Sequence, residues 1–505
     1  MPRLAMPPAF FTVFKLCAMA TCALSPACKR HVDPGPDFQI TTDGVRLRPT
    51  DAIPRSSPIF DGNRVTLEAA RGETVGFLVY QRTAPQPVTL TGELLPAKLY
   101  AVEPAVAKRG STALYSGGRG VGAYPDILRE SSSPATNPAY VELAVPRDAK
   151  PGAHAAQLAV GDKHYDVTVN VHDVALPDLP PRVWAYYDPR ELQWAKLGAG
   201  THDAPSPEER ACIATFRRYG VLLSPDLPLS AWPARRELLA GFPFIPVKLD
   251  KDHVADDVRG WIAATKDSGQ LPFTIPIDEP RKPDARAKVK ALSQQVRDAG
   301  GGPSTFLYAV TAEPHAEMGD AIDLYITLQP KLADTFPRWT YNGAPPRAGS
   351  FVLDAVAPGP RTWGWLAWRS KIAVWYVWDA LYWHDRHNRK GAPLPGRPLD
   401  APTDATSFDD GEDHGNLDGV LALPGDATTP CMPTLRLAAI RRGQQDRALL
   451  ELAEKCHPAE MKALVEKLIP RALGEAPQHG SPAWPTDDAA WEAARVKLLD
   501  LATCH

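Results

Sequence analysis

The stretch FTIPIDEPRKPDARAKVKALSQQVRDAGG, Phe273 to Gly301, decides the fold. An apolar run, Phe273 to Ile277, ends abruptly in two carboxylates, Asp278 and Glu279, followed by Pro280. An amphipathic segment, DARAKVKALSQQVRDAGG, then begins and closes on glycines. A short continuous apolar run reads as a strand buried on both faces, and the segment after it reads as a helix covering one of them. The same alternation recurs on either side. RVWAYYD (Arg182 to Asp188), YGVLLSPD, FPFIPVKL, STFLYAVT and AIDLYITL are strand-like, and PSPEERACIATFRRYG and DDVRGWIAATKDSG are helix-like. Repeated strand–helix units imply a parallel sheet with helices on its faces. Strand ends that finish in YYD, SPD and IDEP suit a (β/α)8 TIM-like barrel over residues 182–432, whose active site lies at the C-terminal ends of its strands. A doubly wound open sheet is the competing reading. It lacks a G-x-G-x-x-G after a strand, and GGRGVG (Gly117 to Gly122) has the wrong spacing and reads as a loop.

Upstream, the period changes from continuous to alternating. RVTLEAARGETVGFLVYQR, PVTLTGELL, AYVELAVP and YDVTVNVHDV are period-2 runs bounded by Gly, Pro and Asp. They predict antiparallel strands with one buried face, and hence an N-terminal β-sandwich over residues 64–178. LPDLPPR, Leu176 to Arg182, is a stiff linker. Residues 29–63 read as a tether and then a first strand. Downstream of Pro433, TLRLAAIRRGQQDRALLELAEKC, AEMKALVEKLIPRAL and DDAAWEAARVKLLDLA predict a C-terminal helical segment, 433–505, packed beside the barrel.

A chain of 505 residues calls for two or three domains. The 53 prolines are roughly twice the average share and favour strands and loops over a helical bundle. A net charge of −3 gives no electrostatic reason to propose nucleic acid or an anionic membrane as partner. Residues 1–28 read as an export signal: Arg3, the apolar LCAMATCALSPA, and LSPAC ending in Ala27 and Cys28. LSPAC resembles a lipobox in which Cys28 is acylated, although Leu24 stands one place too far upstream and Lys15 interrupts the apolar run. The expectation is an exported protein, periplasmic or on the cell surface, that meets a membrane only through this anchor. Of the seven cysteines, Cys212, Cys431, Cys456 and Cys504 lie beyond the leader, too few for a disulfide framework and in no C-x-x-C pair. Cys456 and Cys504 either bridge the last helices or remain buried thiols.

In a regular strand, Asp278 and Glu279 would face opposite ways. Pro280 pushes the residue before it into extended or turn geometry, so Asp278 becomes the last strand residue and Glu279 stands beside it on the outgoing loop. Two neighbouring carboxylates disfavour double ionisation, which suits general acid chemistry. The competing reading is an acidic strand end bound by an Arg or a helix N-terminus. Seven of the thirteen tryptophans fall between Trp339 and Trp383, in FPRWTYNG, RTWGWLAWRS and AVWYVWDALYWHD. Most are expected in the core and two or three beside a cleft, where aromatic faces take sugar rings. HDRH (His384 to His387) and FDDGEDHGNLDG (Phe408 to Gly419) lack metal-ligand spacing, so no metal is expected.

Residues 60–455 as a whole resemble the glycoside hydrolase family 123 catalytic-domain group and its uncharacterised relatives. The motifs that carry the resemblance are AARGETVGFLVY, AYPDIL, YVELAVPRDAKPGAHAAQLAV, IDEP, WTYNGAPP, WLAWRSKIAVWYVWDALYW, DGVLALPG and PTLRLAAIRRGQQD, in that order. The resemblance implies an exo-acting β-N-acetylhexosaminidase, of the type known for terminal β-N-acetylgalactosamine, with a glycan as its partner and no cofactor. It maps the general acid onto Glu279, and onto Asp278 the carboxylate that orients the substrate's own acetamido group. Trp339, Tyr341 and Trp383, with Tyr187 and Asp188, are the expected substrate-binding residues. Gln445 and Arg447 stand where the family carries Glu and Tyr, and Ile277 where it carries an aromatic residue. Two other readings compete. One is a hydrolase of another glycan, with Glu313, Asp323 or Asp379 as the second carboxylate; the other is a non-catalytic glycan-binding surface protein.

Overall fold

The computed structural model describes residues 34–92, 95–112, 118–178, 180–330, 337–386 and 393–504. The export segment with Cys28, the first residues of the tether and His387 lie outside these. The protein combines β-sheets, an α/β part and a C-terminal helical segment.

The alternating runs form two sheets. One is five-stranded and antiparallel, in the order Phe38–Thr42, Thr74–Gln81, Ala139–Ala144, Ala97–Ala107 and Gly122–Glu130. The other runs Arg64–Arg71, Lys163–Ala175, Gly152–Val160 and Val88–Thr91. Its first pair, Arg64–Arg71 with Lys163–Ala175, is parallel, a departure from the all-antiparallel expectation. Val65 and Leu67 from this sheet share one core with Phe77, Val79, Val141 and Leu143 from the other. Thr74–Gln81 is buried on both faces because Leu78 and Tyr80 pack on the far side with Leu435 of the C-terminal segment.

The continuous apolar runs form eight short parallel strands in two four-stranded sheets. The first has the order Val221–Leu223, Val183–Ala185, Ile372–Val377, Arg338–Tyr341. The second has the order Phe244–Pro246, Leu271–Thr274, Leu307–Val310, Leu324–Tyr325. The continuous ladders therefore give two open sheets, not one closed ring. Between their edges stand two single parallel bridges, Leu227 with Val247 and Ile326 with Trp339. At the first seam Pro225, Pro228, Pro243 and Pro246 remove the N–H groups a longer ladder needs. Helices Pro207–Arg218, Val254–Thr265, Pro283–Asp298 and Thr362–Ser370 connect the strands. Pro283–Asp298 buries Val289, Ser293 and Val296, the four- and three-residue spacing of one helix face. Ser206 starts Pro207–Arg218 by accepting the Glu209 N–H at 3.2 Å.

The last part holds helices Leu435–Cys456, Pro458–Leu468 and Asp488–Ala502. The first of them reaches beyond the α/β part to the five-stranded sheet. Leu435–Cys456 is buried over most of its length, arginines included, and bonds to both neighbours. Arg436 pairs with Asp126, Arg441 with Glu142 and Arg442 with Glu73, all in or beside the five-stranded sheet. On its other side a methyl on Gly364 would collide with the Gly443 carbonyl, so two glycines set the contact with Thr362–Ser370. Asp446 is fully buried and accepts from Trp365 at 2.9 Å and from Arg361 and Arg495. Cys456 bridges to Cys504, and Cys212 bridges to Cys431, a pairing the sequence did not suggest.

Candidate active site

The strand Leu271–Thr274 stops four residues before Asp278, because Pro276 cannot donate to the ladder. Asp278 is therefore not the last strand residue: both carboxylates sit on the outgoing loop, with Asp278 exposed and Glu279 half-buried. Glu279 takes the left-handed region, φ +40°, which costs a non-glycine residue about 1–3 kcal/mol and is held by its surroundings. Thr311, just past the strand Leu307–Val310, supplies the hold. Its hydroxyl accepts the Glu279 N–H at 3.0 Å and donates to Asp278 Oδ1. Tyr341, at the end of Arg338–Tyr341, donates to Glu279 Oε1 at 3.2 Å. The exposed Arg281 pairs with Glu279 Oε2. Burial pushes the Tyr341 phenol well up, and the Glu279 and Asp278 charges push it the same way, so it stays a donor. A pocket of about 320 Å³ opens beside these groups, lined by Glu279, Arg281, Arg286, Thr311, Glu313, His315 and Tyr341 among others.

Other strands deliver further polar groups from the same C-terminal ends. Asp226 follows Val221–Leu223, Lys248 follows Phe244–Pro246, and Tyr186 and Asp188 follow Val183–Ala185. Tyr376 lies in Ile372–Val377 and Asp379 just after it. Burial raises the Tyr376 phenol, and the neighbouring Asp278, Asp226, Tyr186 and Asp379 raise it further, which ties these side chains to one mouth. Burial pushes the Asp226 carboxyl up to about 7, with Lys248 pulling it back. Asp379 is likewise pushed up to about 7, by burial against the Arg386 charge, with Glu191 adding to the rise. Thr311 and Tyr376 were not singled out in the sequence, and Tyr186 and Asp226 were noted only within the strand ends YYD and SPD. The available signal was a polar residue closing an apolar run, as in LLSPD and LYAVT.

The expected substrate-binding residues divide. Tyr341 touches Glu279. Trp339 does not face a cleft: it is 0% exposed, packed against Trp184, Phe244 and Phe273. Trp383 is 1% exposed and donates to the Ala422 carbonyl at 2.8 Å. Tyr187 is buried with its hydroxyl on Glu209. All three fill core: Trp339 lies within its strand, below the end that carries Tyr341, and Tyr187 and Trp383 lie past strand ends with their polar atoms bonded inward. Asp188 is nearly buried between Arg190 and Arg386. Burial opposes its ionisation, but the Arg190 bonds and the Arg386 charge outweigh it and hold the carboxyl below its ordinary value. Of the seven clustered tryptophans only Trp378 keeps partial exposure, fixed by its bond to Asp418 at 3.1 Å. Glu313 lines the pocket, whereas Asp323 is locked inside by Arg297 and the Tyr308 N–H. His384 bonds to Glu191 at 2.8 Å, and no group of three metal-ligating side chains occurs among the described residues.

A family 123 glycoside hydrolase from Clostridium perfringens, described for glycolipid glycan hydrolysis, superposes with TM-score 0.60 at 13% identity, over 92% of this chain and 97% of that one. The fold is similar to that of a family 123 glycoside hydrolase. A glycosyl hydrolase family 2 member from Bacteroides cellulosilyticus (TM-score 0.26, 12% identity, 76% of this chain and 48% of that one) overlaps too loosely to carry an argument. So does an S-layer protein, SbsC (0.12, 18%, 22% and 12%). No protein-family model and no curated protein matches the sequence.

Proposed function

We propose that the protein is an exo-acting glycoside hydrolase that removes terminal β-N-acetylhexosamine, of the N-acetylgalactosamine type, by substrate-assisted retaining catalysis. The observation that carries this is the Asp278–Glu279 pair, held at the strand ends by Thr311 and Tyr341. Glu279 protonates the glycosidic oxygen. Asp278, kept in place by the Thr311 hydroxyl, steadies the substrate's acetamido group as its oxygen attacks the anomeric carbon. Glu279 then takes a proton from the water that opens the oxazolinium-like intermediate. Arg281, 79% exposed, must leave Glu279 Oε2 when the leaving group arrives. Tyr376, Tyr186 and Trp378 replace Trp339 and Trp383 as aromatic faces for the sugar. The pairing order and the two single bridges support reading residues 182–432 as a (β/α)8-type barrel interrupted at two seams, and the shared core supports reading 64–178 as a β-sandwich. Two disulfides support export; a lipid anchor at Cys28 belongs to the same proposal and rests on LSPAC alone.

The test is hydrolysis of aryl β-N-acetylgalactosaminide, β-N-acetylglucosaminide and plain β-galactoside, beside Glu279→Gln and Asp278→Asn. Turnover of the acetamido sugars alone, lost in both folded variants, is the expected result. Turnover of the plain galactoside would reject acetamido assistance.

A further inference from the structure

A second pocket, about 220 Å³, lies away from the mouth, lined by residues that precede the parallel strands: Arg182 before Val183–Ala185 and Gly220 before Val221–Leu223. Six arginines line it: Arg147, Arg182, Arg217, Arg218, Arg441 and Arg447. Among the described residues three carboxylates pair with them. Arg441 has Glu142, Arg147 has the exposed Asp178, and Arg182 and Arg447 share Glu451. Arg217 and Arg218 have no carboxylate within ion-pair distance among the described residues. Their bonds go to backbone carbonyls and to the phenols of Tyr100 and Tyr219. Those two close helix Pro207–Arg218, where the helix dipole already favours cations. Arg447 has no such explanation. It is 8% exposed, on the pocket floor, and shares its one carboxylate with a second guanidinium. Burial pushes it down to about 10, and the neighbouring Arg182 charge adds to this. A desolvated cation crowded by like charge is costly unless a counter-anion completes the site.

We propose that this pocket binds a tetrahedral oxyanion, phosphate or sulfate, taken up free or as an ester group on a sugar. The planar forks of Arg182 and Arg447 suit such a group, because the one carboxylate they share, Glu451, leaves donors of both unused, and Arg441 lines the same pocket. The walls come from the five-stranded sheet side (Gly72, Thr74), the linker (Pro177, Pro180) and helix Leu435–Cys456, so the anion also ties three parts of the chain together. The site stands apart from Glu279 and does not depend on the hydrolase reading.

The test is calorimetric titration and thermal melting of the whole protein with inorganic phosphate, inorganic sulfate and N-acetylgalactosamine 6-sulfate, against sodium chloride at equal ionic strength. One saturable site is expected for at least one of these, with a melting shift of about 3 °C near one hundred times Kd. Which ligand binds tightest tells a free ion from a sugar ester. Arg447→Gln should weaken binding at least about tenfold and cut the shift at the same ligand concentration to about half or less, while melting no lower than wild type in anion-free buffer. Arg182→Gln, at the half-exposed rim, should also weaken binding and guards against a folding defect in the first variant. Hydrolysis should be unchanged in both. No saturable response to any of the three oxyanions, or equal binding in both variants, would overturn the proposal.

Discussion

Thr311→Val puts the candidate site under the narrowest strain. The two side chains have nearly the same shape, so the change removes one hydroxyl and little else. That hydroxyl accepts the Glu279 N–H at 3.0 Å and donates to the Asp278 carboxylate. A neutral hydrogen bond is worth about 1 kcal/mol net, and one to a charged group about 1.5–3 kcal/mol. Asp278 is exposed, so water recovers part of the second term. About 2 kcal/mol of positioning energy is left, or roughly 30-fold in rate. The left-handed backbone at Glu279 acts in the same direction, since a strained residue drifts once its partner is gone. The expected result is a kcat lowered about 30- to 100-fold on the aryl β-N-acetylgalactosaminide, with a smaller change in KM. Stability should fall by no more than about 1 kcal/mol, because valine refills the buried Thr311 site and water can reach the exposed Asp278 and half-buried Glu279 that lose their bonds. Thr311→Ser keeps the hydroxyl and should recover most of the rate. If Thr311→Val works within threefold of wild type while Glu279→Gln is dead, the hydroxyl does not position the pair and the reasoning is wrong.

Three further outcomes follow from the same geometry. Trp339→Ala should cost about 3–5 kcal/mol in urea unfolding, as expected for a buried aromatic; a folded variant with unchanged stability but weakened sugar binding would return Trp339 to the cleft. Asp226 and Asp379, with folded-state values near 7 against 3.8 unfolded, hold protons that the unfolded chain releases. Stability contributed by their neutral forms is therefore full below 3.8 and is lost as pH rises towards 7, where the loss levels off. Asp226→Asn should flatten the fall in melting temperature over that window, and an unchanged slope counts against a buried neutral carboxyl. Removing the Cys212–Cys431 bridge, whose ends are 219 residues apart, should destabilise by up to about 5 kcal/mol, and removing Cys456–Cys504, 48 apart, by up to about 4 kcal/mol, in the chain-entropy account. Chemical denaturation of Cys→Ala variants measures both.

Much of the fold was legible because its signals are local. The switch from alternation in RVTLEAARG to continuous runs such as PFTIP separates the mixed sheets from the parallel ones. Two things stayed hidden. Parallel pairing of Arg64–Arg71 with Lys163–Ala175 joins segments about 100 residues apart, and a period-2 pattern reads the same for either strand direction. Helix Leu435–Cys456 was expected only beside the barrel, and nothing local in its sequence marks its arginines as buried. In the structure Arg436, Arg441 and Arg442 are buried against Asp126, Glu142 and Glu73, carboxylates that lie far upstream in the chain. Two more residues of this helix have roles that only the folded chain reveals. Gly443 permits close contact with Gly364, and Asp446 satisfies three buried donors.

Apart from Tyr341, which came from the WTYNGAPP resemblance, the site was legible where one strand end carried two polar residues at once. IDEP drew notice because two carboxylates stood together. Asp226, Thr311 and Tyr376 each close or interrupt an apolar run singly, which any strand end does. Their importance arises from convergence: Thr311 reaches Asp278 across 33 residues, and Tyr341 reaches Glu279 across 62. The tryptophans failed for the complementary reason. A large aromatic in a strand serves core and cleft equally well by composition, and its depth along the strand decides. Trp339 and Tyr341 are two residues apart and share a face, but Trp339 lies deeper, packed on Phe244 and Phe273, while Tyr341 at the strand end meets Glu279. A catalytic reading of such a sequence should therefore weigh the polar residue that closes each apolar run above the aromatics within it, because the strand ends are what the parallel sheets bring together.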